Sequence, residues 1–143
     1  MKAAIMDALN ASNAPTDDDK KGGFHEESVK SGKDASGNVV VSPSVPGPYA
    51  PPGTDPHTGF KPADPKKDEK LVTVDVFAHI HPKGNADRPF NQFPSKKDIA
   101  GAKDSPSAIN LVVGAKDKKV YFFNGSDQIG NPIKLKDFMR GPQ

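Results

Sequence analysis

The chain of 143 residues contains no cysteine, no long apolar run and almost no excess of charge of either sign. The absence of cysteine excludes disulfides, a thiol nucleophile and zinc sites built from thiolates, and it suits a reducing compartment. No stretch approaches the ~20 apolar residues that a membrane-spanning helix needs, so we expect no membrane association. The 20 basic and 18 acidic residues interleave along the chain, which argues against nucleic acid as a partner.

Hydrophobic residues make up only 34% of the chain, while 15 prolines and 13 glycines raise the content of loop-forming residues. This composition predicts a small folded core that carries long irregular segments, in a single domain spanning residues 1–143. A monomer is the default expectation. Residues 1–7 (MKAAIMD) place an acid where a signal peptide stays apolar, which favours a cytoplasmic protein. Export by a signal-independent route remains the alternative.

The N-terminal half is predicted to form a helix followed by a hairpin. Residues 2–13 combine alanine and leucine with an apolar i, i+4 pair, and the acidic run at 17–19 is interpreted as a charged exit from this helix. Residues 23–43 contain two β-prone runs around a turn and predict a hairpin. Residues 43–66 hold eight prolines, so they form a loop or insert, not a helix or a central strand. This insert is either an irregular loop or a flap over a substrate.

The remaining segments predict a mixed sheet with a further helix. Residues 71–81 alternate so that one face of a strand is wholly apolar, with Val72, Val74, Val76, Ala78 and Ile80 on it. A short helix is expected at 95–103, and apolar strands are expected at 109–113 and 120–123. Residues 133–139 fit either a last strand or a single helical turn. The predicted fold class is therefore α+β, a sandwich-like mixed sheet with flanking helices.

Two of the four histidines, His79 and His81, lie one residue apart in the strongest predicted strand. Residues i and i+2 project from the same face of a strand, so the two imidazoles are close enough to share one small ion. The pair also ends the strand beside a loop, where binding sites are common. The alternative is that both histidines only decorate an exposed face. His25 is assigned to the surface, with an extension of the polar site as the alternative. His57 is assigned to the proline-rich loop, with contact to the metal as the alternative.

Ser95 and Asp98 form a second motif at the start of the predicted helix. The local interpretation is a capping box, in which each side chain accepts a hydrogen bond from the backbone N–H of the other residue. A carboxylate held in the first turn of a helix has little freedom, which also suits a cation such as zinc. The motif is thus either a helix cap alone or a cap that also serves a metal site.

In sequence order the chain has His-x-His-Pro, a loop, Ser-x-x-Asp opening a helix, and an apolar strand. This order resembles the JAMM metallopeptidase superfamily, also called JAB or MPN, over roughly residues 2–125. The chain looks most like bacterial JAB-like domains of uncharacterised function that accompany secreted or toxin proteins. The resemblance implies a JAB-like mixed sheet in which His79, His81 and Asp98 bind zinc. It also implies that Ser95 stabilises the tetrahedral intermediate during hydrolysis of a peptide or isopeptide bond in a protein or peptide substrate.

The resemblance further implies a glutamate that acts as general base. The family places it just before the glycine that opens the first strand, but this chain has Lys20 there, which cannot accept a proton while charged. Glu26 and Glu27 follow on the predicted first strand and point to opposite faces, so one of them can face the site. Asp19 is a candidate of shorter reach, and a solvated strand edge is the other interpretation of the glutamate pair. Ile80 also replaces the usual Ser or Thr between the histidines.

Three hypotheses remain open from the sequence. The first is a zinc-dependent JAMM-like hydrolase, with Ser95, Glu26 and Glu27 as the catalytic candidates. The second is a JAB-like binding or structural module that has lost hydrolysis, and the lysine at position 20 favours it. The third is a protein that binds no metal, in which the histidines are incidental.

Overall fold

A computed structural model describes residues 1–56, 71–104 and 107–141. Within these ranges the chain forms three helices and seven strands, which confirms the α+β class. The helices are α1 (Lys2–Asn13), α2 (Lys96–Asp104) and α3 (Leu135–Arg140). The strands are β1 (Glu27–Lys33), β2 (Val39–Val41), β3 (Val45–Pro46), β4 (Val76–His81), β5 (Ile109–Gly114), β6 (Lys119–Phe123) and β7 (Gln128–Lys134). No helix in the described ranges combines the length and the apolar character needed to cross a bilayer.

The strands join one sheet in the order β2-β1-β4-β5-β6-β7, and β3 also pairs with β1. β4 and β5 run parallel, whereas the other pairs are antiparallel. A parallel pair cannot be joined by a tight hairpin. The connection from β4 to β5 therefore crosses one face of the sheet, and it carries α2 over that face.

The two faces of the sheet bear cores of different size. α1 and α3 cover the larger core, whose buried residues are Ile5, Ala8, Leu9, Val29, Ala78, Ile80, Leu111, Val113, Ala115, Val120 and Leu135. α2 covers the smaller core, whose buried residues are Ala102, Val112, Tyr121 and Phe123. Within α2, Ala102 alone is buried. Little apolar burial therefore holds this helix against the sheet.

The predicted N-terminal helix is confirmed as α1, an amphipathic helix with one buried face. After it the chain doubles back, and Gly22 has a φ of +77°, a backbone region that favours glycine. A Cβ atom at Gly22 would lie 2.4 Å from the carbonyl oxygen of Asn13. The N–H of Gly23 donates to the carbonyl of Ser12 at 2.8 Å and fixes the return of the chain along the end of α1.

The strand predicted at 71–81 begins later than expected, at Val76, the first residue of β4. The preceding segment is irregular, so Val72 is 59% exposed and Leu71 is buried, the reverse of the predicted alternation. This segment passes very close to β1. One of its carbonyl oxygens would lie 1.7 Å from a Cβ atom placed at Gly32, so the two backbones are in direct contact there. The segment stays hydrogen-bonded to β1, with the N–H of Val72 donating to the carbonyl of Lys33 at 2.7 Å, but the pairing is irregular.

The proline-rich insert predicted at 43–66 lies partly outside the described residues. Its first part lies against the sheet, because β3 pairs with the start of β1. In the described ranges β3 pairs with no other strand. The N–H of Gly47 donates to the carbonyl of Glu26 at 2.7 Å, and the N–H of Ala50 donates to the carbonyl of Phe24 at 2.9 Å. The insert therefore begins as an ordered extension along the first strand.

The remaining predicted elements match the structure closely. The hairpin predicted at 23–43 contains the antiparallel pair of β1 and β2. The strands expected at 109–113 and 120–123 are β5 and β6, with bounds shifted by one residue. At 133–139 both predicted alternatives are present in succession. β7 ends at residue 134, and α3 begins at residue 135.

Candidate metal site

β4 places two histidine side chains on the face of the sheet that α2 covers. His79 and His81 are 2% and 4% exposed, while Ile80 between them enters the larger core on the opposite face. The Nε2 atoms of the two histidines are 3.2 Å apart. The rings therefore share one face, as predicted, and they are buried, not displayed on an exposed surface.

Asp98 reaches the two histidines from the first turn of α2. The predicted capping box is present: the Ser95 N–H donates to Asp98 Oδ2 at 2.8 Å, and the Asp98 N–H donates to Ser95 Oγ at 3.1 Å. With the carboxylate held in this way, Oδ1 lies 3.1 Å from His79 Nε2, and Oδ2 lies 3.1 Å from His81 Nε2. Burial raises the pKa of Asp98, but the two histidines outweigh this effect and lower the pKa far below its usual range.

Glu26 approaches the same point from the start of β1. Because Glu27 pairs with Ile80 in the antiparallel register, the preceding residue, Glu26, lies opposite His81 on the same face. The Oε1 atom of Glu26 is 3.6 Å from His81 Nε2, and the side chain is buried. Glu26, His79 and His81 form a buried group that could hold a metal ion.

The separations between the donor atoms suit a metal ion. Two ligands at about 2.0–2.1 Å from a tetrahedral zinc ion stand roughly 3.3 Å apart. The two Nε2 atoms are 3.2 Å apart, and each lies 3.1 Å from an oxygen of Asp98. Imidazole nitrogens and carboxylate oxygens also bind iron, manganese and other divalent metals, so the donor types do not select one metal.

Aromatic packing orients His79. Phe77 stacks on its ring with centroids 5.5 Å apart, and Phe123 meets the ring edge-on at 6.0 Å. The Nδ1 atoms of His79 and His81 are buried and have no hydrogen-bond partner among the residues that the structure describes. Metal-ligating histidines commonly donate this N–H to a carboxylate or carbonyl. Here apolar walls orient the His79 ring, and the polar contacts of both histidines converge on Nε2.

A cavity of about 510 Å³ opens onto these donor atoms. Its volume falls within the range of about 300–1,000 Å³ that is usual for ligand pockets. Phe77, Phe90 and Phe123 supply apolar walls, and Ser95 also lines the cavity. Asn110 is a lining residue that the sequence analysis did not single out. A polar residue inside an otherwise apolar predicted strand was the available signal.

Two imidazoles and two carboxylates from β1, β4 and α2 thus meet in one cavity. The chain matches no protein-family model, no curated protein and no solved structure. The likeness to the JAMM superfamily therefore rests on the identity and order of His79, His81, Ser95 and Asp98.

One catalytic candidate, Glu27, and the residue at the family's base position, Lys20, lie away from this cavity. Glu27, the neighbour of Glu26, is directed to the other side of the strand. Lys20 is exposed and is not among the residues that line the cavity, so its charge does not face the donor atoms. His57 lies outside the described residues.

Glu27 belongs to a second buried cluster, which corrects the surface roles expected for His25 and Asp19. The Nδ1 atom of His25 is 2.6 Å from Asp19 Oδ2, and its Nε2 atom is 3.1 Å from Glu27 Oε1. The hydroxyl of Ser44 donates to Glu27 Oε2 at 2.6 Å. Asp19 turns inward because its carboxylate also accepts two backbone N–H groups of the turn that follows it. The cluster ties the turn after α1 to β1 on the side away from the cavity.

The two carboxylates of this cluster control the charge of His25. Burial lowers the pKa of His25, but the hydrogen bonds and charges of Glu27 and Asp19 outweigh it and raise the pKa above its ordinary value of 6.5. A raised pKa in the folded state means that protonation of His25 stabilises the fold. This stabilisation is fully present below the ordinary pKa and is lost as the pH rises through the raised value.

We therefore expect the unmodified protein to be more stable than a His25→Gln variant. The difference between their free energies of unfolding should be larger at pH 6 than at pH 9. Urea unfolding of both proteins across this range measures the difference. Contributions from other titrating groups cancel because they are common to the two proteins. A difference that stays constant with pH, or that grows as pH rises, would contradict the charged state assigned to His25.

Proposed function

We propose that the chain is a zinc-dependent hydrolase of the JAMM type that cleaves a peptide or isopeptide bond. The observation that carries the proposal is the meeting of His79 Nε2, His81 Nε2 and the Asp98 carboxylate at separations of 3.1 and 3.2 Å, with the buried carboxylate of Glu26 beside them. A site of this kind has three protein ligands, a nearby base and an open position. The cavity provides room for a substrate at that open position.

In this proposal His79, His81 and Asp98 hold the metal. Zinc so held supplies a Lewis acid for a carbonyl and lowers the pKa of water toward ~7. Asp98 is a suitable ligand because its pKa is lowered and the capping box fixes its carboxylate. His79 is a suitable ligand because Phe77 and Phe123 restrict its ring.

Glu26 is the residue best placed to act as general base. Its Oε1 atom lies on the cavity side of β1, near the metal-facing nitrogen of His81, where it can accept a proton from an attacking water. Lys20 and Glu27 do not reach this place. The chain would therefore supply its base from the residue just before the first strand, several residues after the position that the family uses.

Ser95 is placed to stabilise charge on the substrate. Its Oγ atom accepts the N–H of Asp98, and its hydroxyl hydrogen can donate to a carbonyl oxygen in the cavity that it lines. A donor aimed at developing negative charge lowers the barrier of acyl transfer. The same side chain thus caps α2, positions Asp98 and serves the reaction.

Purified protein without a histidine tag tests this proposal. We expect stoichiometric zinc and hydrolysis of a peptide or of an isopeptide-linked ubiquitin-like conjugate. The hydrolysis should stop with a chelator and return when zinc is added. Hydrolysis that continues after complete removal of the metal would refute the metal-dependent mechanism. Failure to bind any divalent metal would refute the site itself.

A JAB-like binding module is the second candidate, and Lys20 at the usual base position is the observation that favours it. Such a module would keep the metal and the fold without catalysis. Stoichiometric metal with no cleavage of any peptide or isopeptide bond, under conditions where substrate binding is measurable, would support the module and contradict the hydrolase.

A further inference from the structure

Arg88, in the connection between β4 and α2, makes three hydrogen bonds with the proline-rich insert. Its Nη2 atom donates to the carbonyls of Ala50 at 2.7 Å and Pro51 at 3.0 Å. Its Nη1 atom donates to the hydroxyl of Tyr49 at 3.3 Å. One guanidinium group therefore holds three consecutive residues of the insert.

The same guanidinium lies among three aromatic rings. Its central carbon is 5.1 Å from the ring centroid of Phe24, 5.4 Å from that of Phe90 and 6.0 Å from that of Tyr49. The ring of Phe24 meets those of Tyr49 and Phe90 edge-on, with centroids 6.3 and 5.9 Å apart. The rings come from three separate segments of the chain, and Arg88 lies at the point where these segments meet.

This cluster adjoins the cavity on two sides. Phe90, which contacts Arg88, lines the cavity, and so do Asp55 and Pro56, which follow the residues that Arg88 binds. The insert has one further attachment here, the hydrogen bond from Ala50 to the backbone of Phe24. Among the side chains in the described ranges, Arg88 makes the hydrogen bonds that join this wall to the connection before α2, in addition to the backbone bonds that attach the insert to residues 24 and 26.

We propose that Arg88 is a positioning residue that holds residues 49–56 and Phe90 as one wall of the cavity and so controls access to His79 and His81. The effect on substrate rests on the proposed hydrolase function, but control of access to the histidines does not. Arg88 lines no part of the cavity itself and acts only through the wall that it holds. Lysine could not replace it, because an ammonium group lacks the planar fork that serves several acceptors while stacking on rings.

Histidine labelling with diethyl pyrocarbonate, located by mass spectrometry in metal-free protein, tests this control directly. Loss of several hydrogen bonds favours local opening, so Arg88→Ala and Arg88→Lys should label His79 and His81 about 10-fold faster than the unmodified chain. His25 is buried on the other side of the sheet and serves as the internal reference. Arg140→Ala is the matched control, because Arg140 is exposed and pairs only with Asp137 in the described ranges.

Hydrogen exchange supplies an independent measurement on the same variants. Amides of residues 47–56 should exchange faster in both Arg88 variants, while amides of β5 keep their protection. Unchanged labelling of His79 and His81 would overturn the proposal, as would acceleration that is equal at His25. Full recovery in Arg88→Lys would overturn the requirement for a guanidinium.

If the protein hydrolyses a peptide, the kinetic constants give a third readout. The Arg88 variants should raise KM about 10-fold and leave kcat within about twofold, because the wall binds substrate without touching the reacting atoms. A fall in kcat with KM unchanged would contradict a positioning role. If no protein in the series cleaves a substrate, the hydrolase proposal fails, and the labelling and exchange results still decide the role of Arg88.

Discussion

Zinc affinity should fall by at least two orders of magnitude when His79 or Asp98 is replaced by alanine. Structural zinc sites in small domains bind with about 10–16 kcal/mol, so a single ligand among four accounts for roughly 3 kcal/mol, or about 100-fold. The loss should be steep here because each donor lies 3.1 or 3.2 Å from its neighbours, so each substitution removes one of three atoms that are placed to share the ion. Competition with a chromogenic chelator measures the affinity.

Ser95→Ala is the matched control for Asp98→Ala. Both substitutions break the same capping box, at a cost of about 1 kcal/mol of stability, but Ser95→Ala leaves all three proposed ligands in the chain. We expect it to retain zinc with an affinity near that of the unmodified protein. Equal loss of zinc in the two variants would show that the helix cap, and not the Asp98 ligand, explains the result.

Replacing Glu26 with glutamine should reduce kcat by about 10²–10⁴-fold, the usual contribution of a general base. Zinc should remain bound, because the substitution keeps the shape of the side chain and leaves His79, His81 and Asp98 intact. The measurement is steady-state hydrolysis with zinc content determined on the same sample. Retained activity in Glu26→Gln would remove Glu26 from the mechanism.

Glu27→Gln is the control that the chain itself offers for this experiment. It is the same chemical change one residue along the strand, on the side that contacts His25 and not the cavity. We expect a loss of stability with kcat within a few-fold of the unmodified protein at a temperature where both variants remain folded. A loss of activity in Glu27→Gln equal to that in Glu26→Gln would contradict the assignment of the two faces.

Local patterns in the sequence were sufficient to predict the parts of the site that lie close together along the chain. Alternation in a strand placed His79 and His81 on one face, and a capping box placed Asp98 in the first turn of a helix. Each prediction needed only the geometry of one element. The structure then supplied the distance between the two elements, which no local pattern contains.

The choice between Glu26 and Glu27 could not be made from the sequence. Alternation showed that they differ in direction, but only the register between β1 and β4 shows which one lies opposite His81. The buried roles of Asp19 and His25 were missed for a similar reason. They depend on the tight turn at Gly22, which brings a polar stretch of chain back against the end of α1.

The start of β4 was misplaced because alternation continues past the point where the strand ceases to pair. Leu71 and Val72 continue the apolar pattern, yet the segment approaches Gly32 closely and makes only irregular hydrogen bonds to β1. The periodicity of apolar residues reflects the preferences of single residues. It does not show where the regular pairing of two strands ends. Glycine at position 32 was the local signal that another backbone comes close.

The small apolar contact of α2 has a consequence for how this protein would unfold. With Ala102 as its only buried residue and Ile99 half-buried beside it, this helix makes little apolar contact with the sheet, and Asp98 links it to the two histidines. A bound metal would cross-link the helix to β4 and raise the melting temperature through mass action. Without the metal, we expect α2 to detach more readily, so the cavity beside His79 and His81 would lose a wall before the larger core melts.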